Sequence, residues 1–253
     1  MLPAERQTHI LEWINEQGRA RTDELAEKLA VTAMTIRRDL ADLETKGLLV
    51  RTHGGAVTAQ SVGLEIPYEA KAASFPDAKV RIAQRAASYV EDGQKIILDA
   101  GTTTLEIARC LRGRRNITVV TTDLRIALEL SAHRDIEVYC TGGFAQPRVY
   151  SLVGPQTVAS IESIRVDWAF LGASYVDLDA GITTPGQEKA CVKRAMIDAA
   201  ARSVLVADHS KFGRWAFVRV APLSRFAAVI TDSGLDADLL RRIEQGGIHI
   251  ERQ

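Results

Sequence analysis

Residues 31–40 read Val31-Thr32-Ala33-Met34-Thr35-Ile36-Arg37-Arg38-Asp39-Leu40, and this run begins an amphipathic α-helix. Ile36, Leu40 and Leu43 recur at the three- and four-residue spacing of one helix face. Thr32 stands just before the pattern as an N-cap, and Gly47 ends it. The sequence therefore predicts a helix that buries one apolar stripe.

The opposite face of this helix is polar and cationic. Successive helical residues are rotated by about 100°, so Met34 and Arg38 lie opposite the apolar stripe. Thr35 and Arg37 flank them. An arginine fork matches guanine in the major groove, or a phosphate group. The exposed half of the helix therefore predicts contact with DNA.

Two further helical patterns precede this helix and a hairpin follows it. Leu48–Arg51 has the composition of a strand, and His53-Gly54-Gly55 has that of a tight turn. Three helices and a small hairpin form the winged helix-turn-helix, which predicts a DNA-binding domain over residues 1–57. Arg51 and His53 on the hairpin are placed to reach an adjacent backbone or minor groove.

Charge and composition limit the class of protein but do not indicate its binding partner. The chain has 32 Lys plus Arg and 32 Asp plus Glu, so its net charge indicates no particular partner. Residues 1–57 hold eight basic and nine acidic residues. This near-neutral charge also fits a helical protein-interaction adaptor. Three scattered cysteines form no CxxC pair and indicate a reduced, cytoplasmic protein. Neither a membrane span, a signal peptide, a metal nor a cofactor is expected.

The pattern changes after residue 57. Residues 58–77 carry Gly63, Pro67 and Pro76 and are predicted to be a linker. From residue 78 to residue 253, strand-like runs alternate with helical patterns, which predicts a mostly parallel α/β sheet covered by helices. The strand-like runs are Lys95–Asp99, Ile117–Thr121, Ile136–Cys140, Val166–Leu171, Ser203–Ala207 and Ala227–Thr231, and the helical patterns cover about 78–91, 103–112, 123–132, 154–163, 187–201 and 234–245.

Four polar segments follow predicted strands. They are Asp99-Ala100-Gly101-Thr102-Thr103-Thr104, Thr121-Thr122-Asp123, Thr141-Gly142-Gly143 and Asp208-His209-Ser210-Lys211-Phe212-Gly213-Arg214. In an open α/β sheet such segments gather at the carboxyl edge, where ligands bind. A glycine-hydroxyl turn at a helix N-terminus suits a phosphate monoester, and a nearby lysine adds positive charge. The segments together predict a small polar pocket for an anion.

Each segment also has a purely structural interpretation. Thr103 and Glu106 fit a capping box that would satisfy the free N–H groups internally. The Gly142-Gly143 pair fits a simple turn, and Asp208 fits a cap of its own solvated loop. Lys193 is a further candidate for the pocket, although the charges of its helical segment are most simply a solvent face.

These motifs closely resemble the DeoR family of bacterial transcription regulators, in order and over nearly the whole chain. The matching segments are Val31–Leu40, Arg51–Ala56, Asp99–Thr103, Thr141–Gly143, Val166–Gly172, Val192–Arg194 and Asp208–Gly213. The resemblance implies that Thr35, Arg37 and Arg38 face DNA. With the cap and the hairpin, the expected DNA-binding residues are Thr32, Met34, Thr35, Arg37, Arg38, Arg51 and His53.

For the C-terminal part, the resemblance implies a sensor domain similar in fold to ribose-5-phosphate isomerase, with a phosphorylated sugar or polyol as effector. The expected effector-binding residues are Asp99, Gly101, Thr102, Thr103, Thr104, Thr122, Gly142, Gly143, Lys193 and Lys211. Thr122 stands where many relatives carry asparagine, which leaves the identity of the sugar open. The resemblance further implies a repressor of carbohydrate or polyol catabolism genes that binds double-stranded operator DNA as a homodimer or homotetramer.

A sugar-phosphate isomerase or deaminase is the rival hypothesis. Asp99 or Asp208 would act as its general base, and Lys211 would stabilise developing negative charge. An isomerase has no use for the N-terminal DNA-binding pattern, so the sequence favours a regulator without enzyme activity.

Overall fold

A computed structural model describes residues 1–58 and 65–253 of the chain. The chain divides into two compact units, Met1–Ser74 and Phe75–Gln253, which we call the N-terminal unit and the C-terminal unit. The predicted linker spans this division, and its residues 59–64 lie outside the described residues.

The N-terminal unit is a winged helix-turn-helix with a third strand. Its elements are α1 (Pro3–Gln17), β1 (Arg19–Arg21), α2 (Thr22–Lys28), α3 (Ala33–Thr45), β2 (Leu49–Thr52), β3 (Gly55–Thr58) and α4 (Tyr68–Ala73). Strands β2 and β3 form the predicted hairpin. Strand β1, which the sequence pattern does not predict, pairs antiparallel with β3. Helix α4 lies within the stretch predicted to be a linker.

Helix α3 is held by polar contacts at its start and on its buried side. The Thr32 hydroxyl accepts a hydrogen bond from the Thr35 N–H at 3.2 Å, which confirms the predicted N-cap. Asp39 is buried and pairs with Arg6 of α1, Nε to Oδ2 at 2.5 Å and Nη2 to Oδ1 at 3.2 Å. Ile36, Leu40 and Leu43 complete the buried face within one apolar core. The two-pronged ion pair fixes how α3 is rotated against α1.

The two glycines of the hairpin turn are needed for different reasons. Gly54 has a φ of +98°, a conformation that side chains rarely adopt. At Gly55 a Cβ atom would lie 2.1 Å from the carbonyl oxygen of Ala20, so only glycine lets β3 approach β1. The His53-Gly54-Gly55 sequence therefore sets where the hairpin lies against the helices.

The C-terminal unit is an α/β domain, as predicted. Its elements are α5 (Pro76–Ala87), β4 (Lys95–Leu98), α6 (Thr102–Cys110), β5 (Ile117–Thr121), α7 (Leu124–Ser131), β6 (Ile136–Cys140), β7 (Phe144–Ala145), β8 (Leu152–Val153), α8 (Pro155–Glu162), β9 (Val166–Leu171), β10 (Tyr175–Asp177), β11 (Gly181–Thr184), α9 (Gln187–Ala199), β12 (Ala200–Val206), β13 (Val218–Ala221), β14 (Ala228–Thr231), α10 (Ala237–Gln245) and β15 (Ile250–Arg252). Each of the six predicted strands and six predicted helices is present, with ends shifted by a few residues. Strand β15 and two small antiparallel groups, β7-β8 and β10-β11-β13, are additions that the sequence pattern does not predict.

The main sheet has the order β15-β14-β12-β9-β4-β5-β6, and every neighbouring pair is parallel. Helices cover it, and strand residues such as Ile96, Ile97 and Leu98 are fully buried. The segments that follow β12, β9, β4, β5 and β6 are therefore neighbours along one carboxyl edge. Within the two described ranges, no helix combines the length and apolar character needed to cross a bilayer.

Candidate functional site

The exposed face of α3 presents the side chains that the sequence assigns to DNA. Met34 is 71% exposed, and Arg37 and Arg38 are exposed beside it. The hydroxyls of Thr32 and Thr35 lie 3.0 Å apart and cap the helix, so they are partly occupied by the fold itself. We call this face the α3 surface.

The two hairpin residues differ in how they are held. The Arg51 N–H donates to Glu44 Oε1 at 2.9 Å, and its guanidinium lies 3.8 Å from the same carboxylate. His53 is exposed at the turn. Both residues thus stay at the surface, with Arg51 steered by an acidic neighbour on α3.

A groove of about 600 Å³ lies between the hairpin and the segment that joins β1 to α2. Arg37 lines one side of it and His53 another. Arg19 and Arg21, on the unpredicted strand β1, also line it and are exposed. The sequence analysis missed these two arginines, although their alternation around buried Ala20 is the signal of a short half-buried strand. Arginines from β1 and α3 therefore meet in this groove, beside the carboxylates of Asp23 and Glu24 at the start of α2.

The C-terminal unit gathers the other candidate residues at the carboxyl edge, and we call this region the strand-end site. Asp99 and Lys193 form a buried ion pair there, Nζ to Oδ2. The Gly172 peptide completes the cluster, because its N–H donates to Asp99 at 3.1 Å and its carbonyl accepts from Lys193 at 2.8 Å. The prediction that the charges of this helix form a solvent face is wrong, since Lys189 and Lys193 are both buried.

The turn that begins α6 leaves backbone donors without protein acceptors. The helix begins at Thr102, so the capping box of Thr103 with Glu106 is not formed, and Glu106 bonds Arg109 instead at 2.6 Å. The Thr104 hydroxyl donates to the Gly101 carbonyl at 3.0 Å. In the described part of the chain, the N–H groups of residues 102–104 have no protein acceptor. Three adjacent donors thus point out of the positive end of the helix.

Asp123 accepts a hydrogen bond from the backbone of this turn. Its Oδ2 accepts from the Gly101 N–H at 3.0 Å, and its Oδ1 accepts from the N–H groups of Arg125 at 2.7 Å and Ile126 at 3.2 Å. Burial, together with the nearby charge of Asp99, raises the pKa of Asp123 to about 6 despite these three donors. The sequence pattern around Asp123 predicts no separate role for it. Its contacts identify it as the residue that positions the α6 turn.

Two buried threonine hydroxyls at the same edge have no hydrogen-bond partner among the described atoms. They belong to Thr122 and Thr141. Buried hydroxyls are normally paired, so these two mark a place where a polar molecule would be stabilised. Gly142 and Gly143 turn beside them, and a Cβ on Gly143 would lie 2.0 Å from the Thr157 hydroxyl. The glycine pair is thus required for packing against α8.

Lys211 lies half-buried in a short turn after β12, beside buried Asp208. Burial raises the pKa of Asp208, but Lys211, the Ser210 hydroxyl and Lys79 outweigh it, so the pKa falls below its usual value. Lys79 of α5 is almost fully buried, and burial lowers its pKa to about 8 against the opposing charge of Asp208. The sequence analysis missed Lys79, because a lone lysine in a helix usually faces water.

The two carboxylates that the enzyme hypothesis names as bases are each bonded through one oxygen. Asp99 accepts through Oδ2 from Lys193 and from the Gly172 N–H. Asp208 accepts through Oδ1 from the N–H and the hydroxyl of Ser210. Among the described residues, no three His, Cys, Asp or Glu side chains cluster as metal ligands.

Comparison with known proteins agrees with this architecture. A model described as the DeoR-like helix-turn-helix domain matches residues 6–62, and one described as the DeoR C terminal sensor domain matches residues 74–233. The chain is 42% identical over 250 residues to the HTH-type transcriptional regulator GlpR of Haloferax volcanii, covering 99% of this chain and 98% of the relative. It is 32% identical over 251 residues to the glycerol-3-phosphate regulon repressor of Escherichia coli, covering 99% of each.

The chain therefore belongs to the DeoR family of transcriptional regulators. It is a DNA-binding regulator and not an enzyme.

Two solved structures align with the chain at low sequence identity. Ribose 5-phosphate isomerase A from Methanocaldococcus jannaschii aligns with a TM-score of 0.41 and 21% identity over 55% of each chain. A translation initiation factor eIF-2B from Pyrococcus horikoshii aligns with a TM-score of 0.45 and 14% identity, covering 90% of this chain and 86% of that one. At this level of similarity neither assigns an activity to the chain.

Proposed function

We propose that this regulator is a repressor whose affinity for its operator changes when a phosphorylated sugar or polyol binds at the strand-end site. The observation that carries the proposal is the row of three N–H groups at the start of α6, which have no protein acceptor in the described chain. A helix N-terminus with free donors is a ready site for a phosphate group.

The neighbours of this turn suit the rest of such a molecule. Lys211 supplies positive charge from the segment after β12, which β9 separates from β4 in the sheet. Lys79 lies near enough to Lys211, Asp208 and Glu106 of α6 for their charges to affect its pKa. The unpaired hydroxyls of Thr122 and Thr141 offer hydrogen bonds to sugar hydroxyls. A relative carries the name glycerol-3-phosphate regulon repressor, which supports a small phosphorylated polyol or sugar as the class of ligand.

The α3 surface supports the DNA side of the proposal. Arg37 and Arg38 are exposed on the half of the helix that would enter the major groove, where arginine reads guanine. Arg19, Arg21 and Arg51 are placed to contact phosphates beside it. The N-terminal unit would then read one operator half-site.

A repressor of this kind works as a homodimer or homotetramer in the cytoplasm. Two N-terminal units would read two half-sites, whose spacing the assembly sets. The effector acts only if it binds one arrangement of the assembly more tightly than another, since equal binding would shift nothing.

Fluorescence anisotropy on DNA flanking the gene of this protein tests the proposal. The titration is run at fixed, stated salt, against a scrambled duplex, with and without glycerol 3-phosphate and a panel of hexose and pentose phosphates. We expect tight binding to one fragment and a change of at least fivefold with one phosphorylated compound. Binding that no compound alters would refute the sensor, and the absence of specific binding would refute the DNA-reading role.

A further inference from the structure

Phe75 is the first residue of the C-terminal unit and has an unusual backbone. Its φ of 49° and ψ of 48° lie in the left-handed region, which bulky side chains avoid. It also precedes Pro76, and a proline pushes the preceding residue towards the extended region. Such a conformation persists only where surrounding contacts impose it.

The side chain of Phe75 makes an aromatic contact. The ring of Phe75 meets the imidazole of His209 edge to face, with centroids 4.6 Å apart and planes at 70°. Phe75 is also the N-cap residue of α5, and its carbonyl accepts from the Lys79 N–H at 3.2 Å. The start of α5 is therefore tied to the turn that carries His209.

His209 is held rigidly within that turn. Its Nδ1 lies 2.7 Å from Asp232 Oδ2, and its backbone N–H donates to Asp232 Oδ1 at 2.7 Å. A Cβ on Gly234 would lie 2.6 Å from the ring, so the glycine makes room for it. These contacts anchor the imidazole and its turn to the segment that follows β14.

The same turn carries Lys211 of the proposed effector site. The Lys211 N–H donates to the Asp208 carbonyl at 3.1 Å, and the Phe212 N–H donates to the His209 carbonyl at 3.2 Å, so the segment is one compact unit. Lys79, one helical turn after Phe75, interacts electrostatically with both Asp208 and Lys211. An anion bound at Lys211 would thus act on a segment joined to α5 by a ring contact and by charge.

We propose that the contact of Phe75 with His209 couples the effector site to the backbone that leads into the N-terminal unit. This inference rests on the proposed function. With the ring seated on His209, Phe75 is kept left-handed; when the turn at residues 208–211 shifts on binding a phosphate, the ring loses its support and Phe75 relaxes to the extended conformation. That single change alters the backbone direction where Ser74 meets Phe75.

The test is a measurement of coupling in the full-length protein. Operator affinity is measured with and without glycerol 3-phosphate, or with the panel compound that alters binding most, for the wild type, Phe75→Ala and Phe75→Gly. Glycine accepts the left-handed backbone without a ring, so Phe75→Gly remains informative if Phe75→Ala unfolds. Phe217→Ala removes a ring that is 94% exposed elsewhere in the unit and serves as the matched control.

In the wild type we expect the compound to change operator affinity at least fivefold. In both Phe75 variants we expect this change to be less than twofold. Their affinity for the compound without DNA stays within threefold of the wild type, and the control keeps the full factor. His209→Ala lowers the factor as well, and adding it to Phe75→Ala causes no further loss, because both remove one contact.

Phe75 variants that keep the wild-type factor would overturn the coupling role while leaving the proposed function intact. A wild type that responds to no compound would instead refute the proposed function, and this inference with it. The two failures are distinguished by the wild-type titration alone.

Discussion

The two units place their functional side chains in opposite ways. On the α3 surface, Met34, Arg37 and Arg38 project into solvent, and the inward face of the helix alone maintains the fold. At the strand-end site, Asp99 and Lys193 are buried and bonded to each other. A reader of DNA must leave its donors free for a large external partner. A pocket for a small ligand must instead be organised before the ligand arrives.

This difference predicts that substitutions in the two regions affect DNA binding and stability differently. Removing a side chain from the α3 surface costs binding and spares stability, whereas removing a buried charged side chain from the strand-end site costs stability first. Each substitution below tests that division, beginning with the largest expected change.

Lys193→Met should cause the largest loss of unfolding free energy. It leaves the Asp99 carboxylate buried with the Gly172 N–H as its remaining identified partner, which costs roughly 3–5 kcal/mol of unfolding free energy. Denaturant unfolding measures this, with Lys95→Met, at an exposed lysine, as control. The double variant with Asp99→Leu should recover much of the loss, because an apolar pair needs no charge partner. A Lys193→Met protein as stable as the control would contradict the division.

Asp123→Asn gives the next largest change, and the change depends on pH. The folded pKa of Asp123, about 6, lies above its ordinary value of 3.8, so its stability contribution is complete below pH ~4 and lost as the pH rises through 6. The wild type minus variant difference in unfolding free energy should therefore fall between pH 4 and pH 7, by up to about 3 kcal/mol. Asp135→Asn, at an exposed carboxylate, provides the baseline. A difference that rises over this range would reverse the sign we assign.

Arg38→Ala tests the α3 surface. Loss of an arginine that reads a base costs about 1–3 kcal/mol for each recognition helix, so specific operator binding should weaken at least tenfold. The melting temperature should stay within about 2 °C of the wild type, because the side chain is exposed. Arg134→Ala, at an exposed arginine of the C-terminal unit, controls for overall charge in the anisotropy assay. Unchanged operator affinity would remove α3 from the binding surface.

Lys211→Ala should cause the smallest change in operator binding by the unliganded protein. It should bind the operator within threefold of the wild type yet lose the response to a phosphorylated compound, giving a repressor that cannot be released. Lys95→Ala should respond normally in the same titration. A Lys211→Ala protein that responds like the wild type would move the effector pocket elsewhere.

Helical and strand periodicity predicts most of the fold. The Ile36, Leu40 and Leu43 stripe and the apolar runs around Ile96 and Leu205 are long enough for the side-chain pattern to be unambiguous. Strand β1 is missed because three residues are too few to show a period, and it forms only because Gly55 lets β3 approach. The small antiparallel groups are missed because their partners are set by tertiary contacts.

The two candidate sites differ in how far sequence predicts them. Exposure of Arg37 and Arg38 follows directly from helix geometry. The ion pair of Asp99 with Lys193 joins residues 94 positions apart, and burial of Lys79 depends on the packing of α5. Neither can be obtained from local patterns, because a lysine on a helix carries no mark of its distant partner.

The pairing of Asp39 with Arg6 has a consequence for how this lineage can change its targets. The inward residues of α3 hold the helix in place through α1, so Met34, Arg37 and Arg38 on the outward face are not needed for the fold. Gene duplicates could then exchange these three residues and acquire new operators without passing through an unfolded intermediate sequence. Regulatory networks built on such a helix can diverge by substitution at three surface positions.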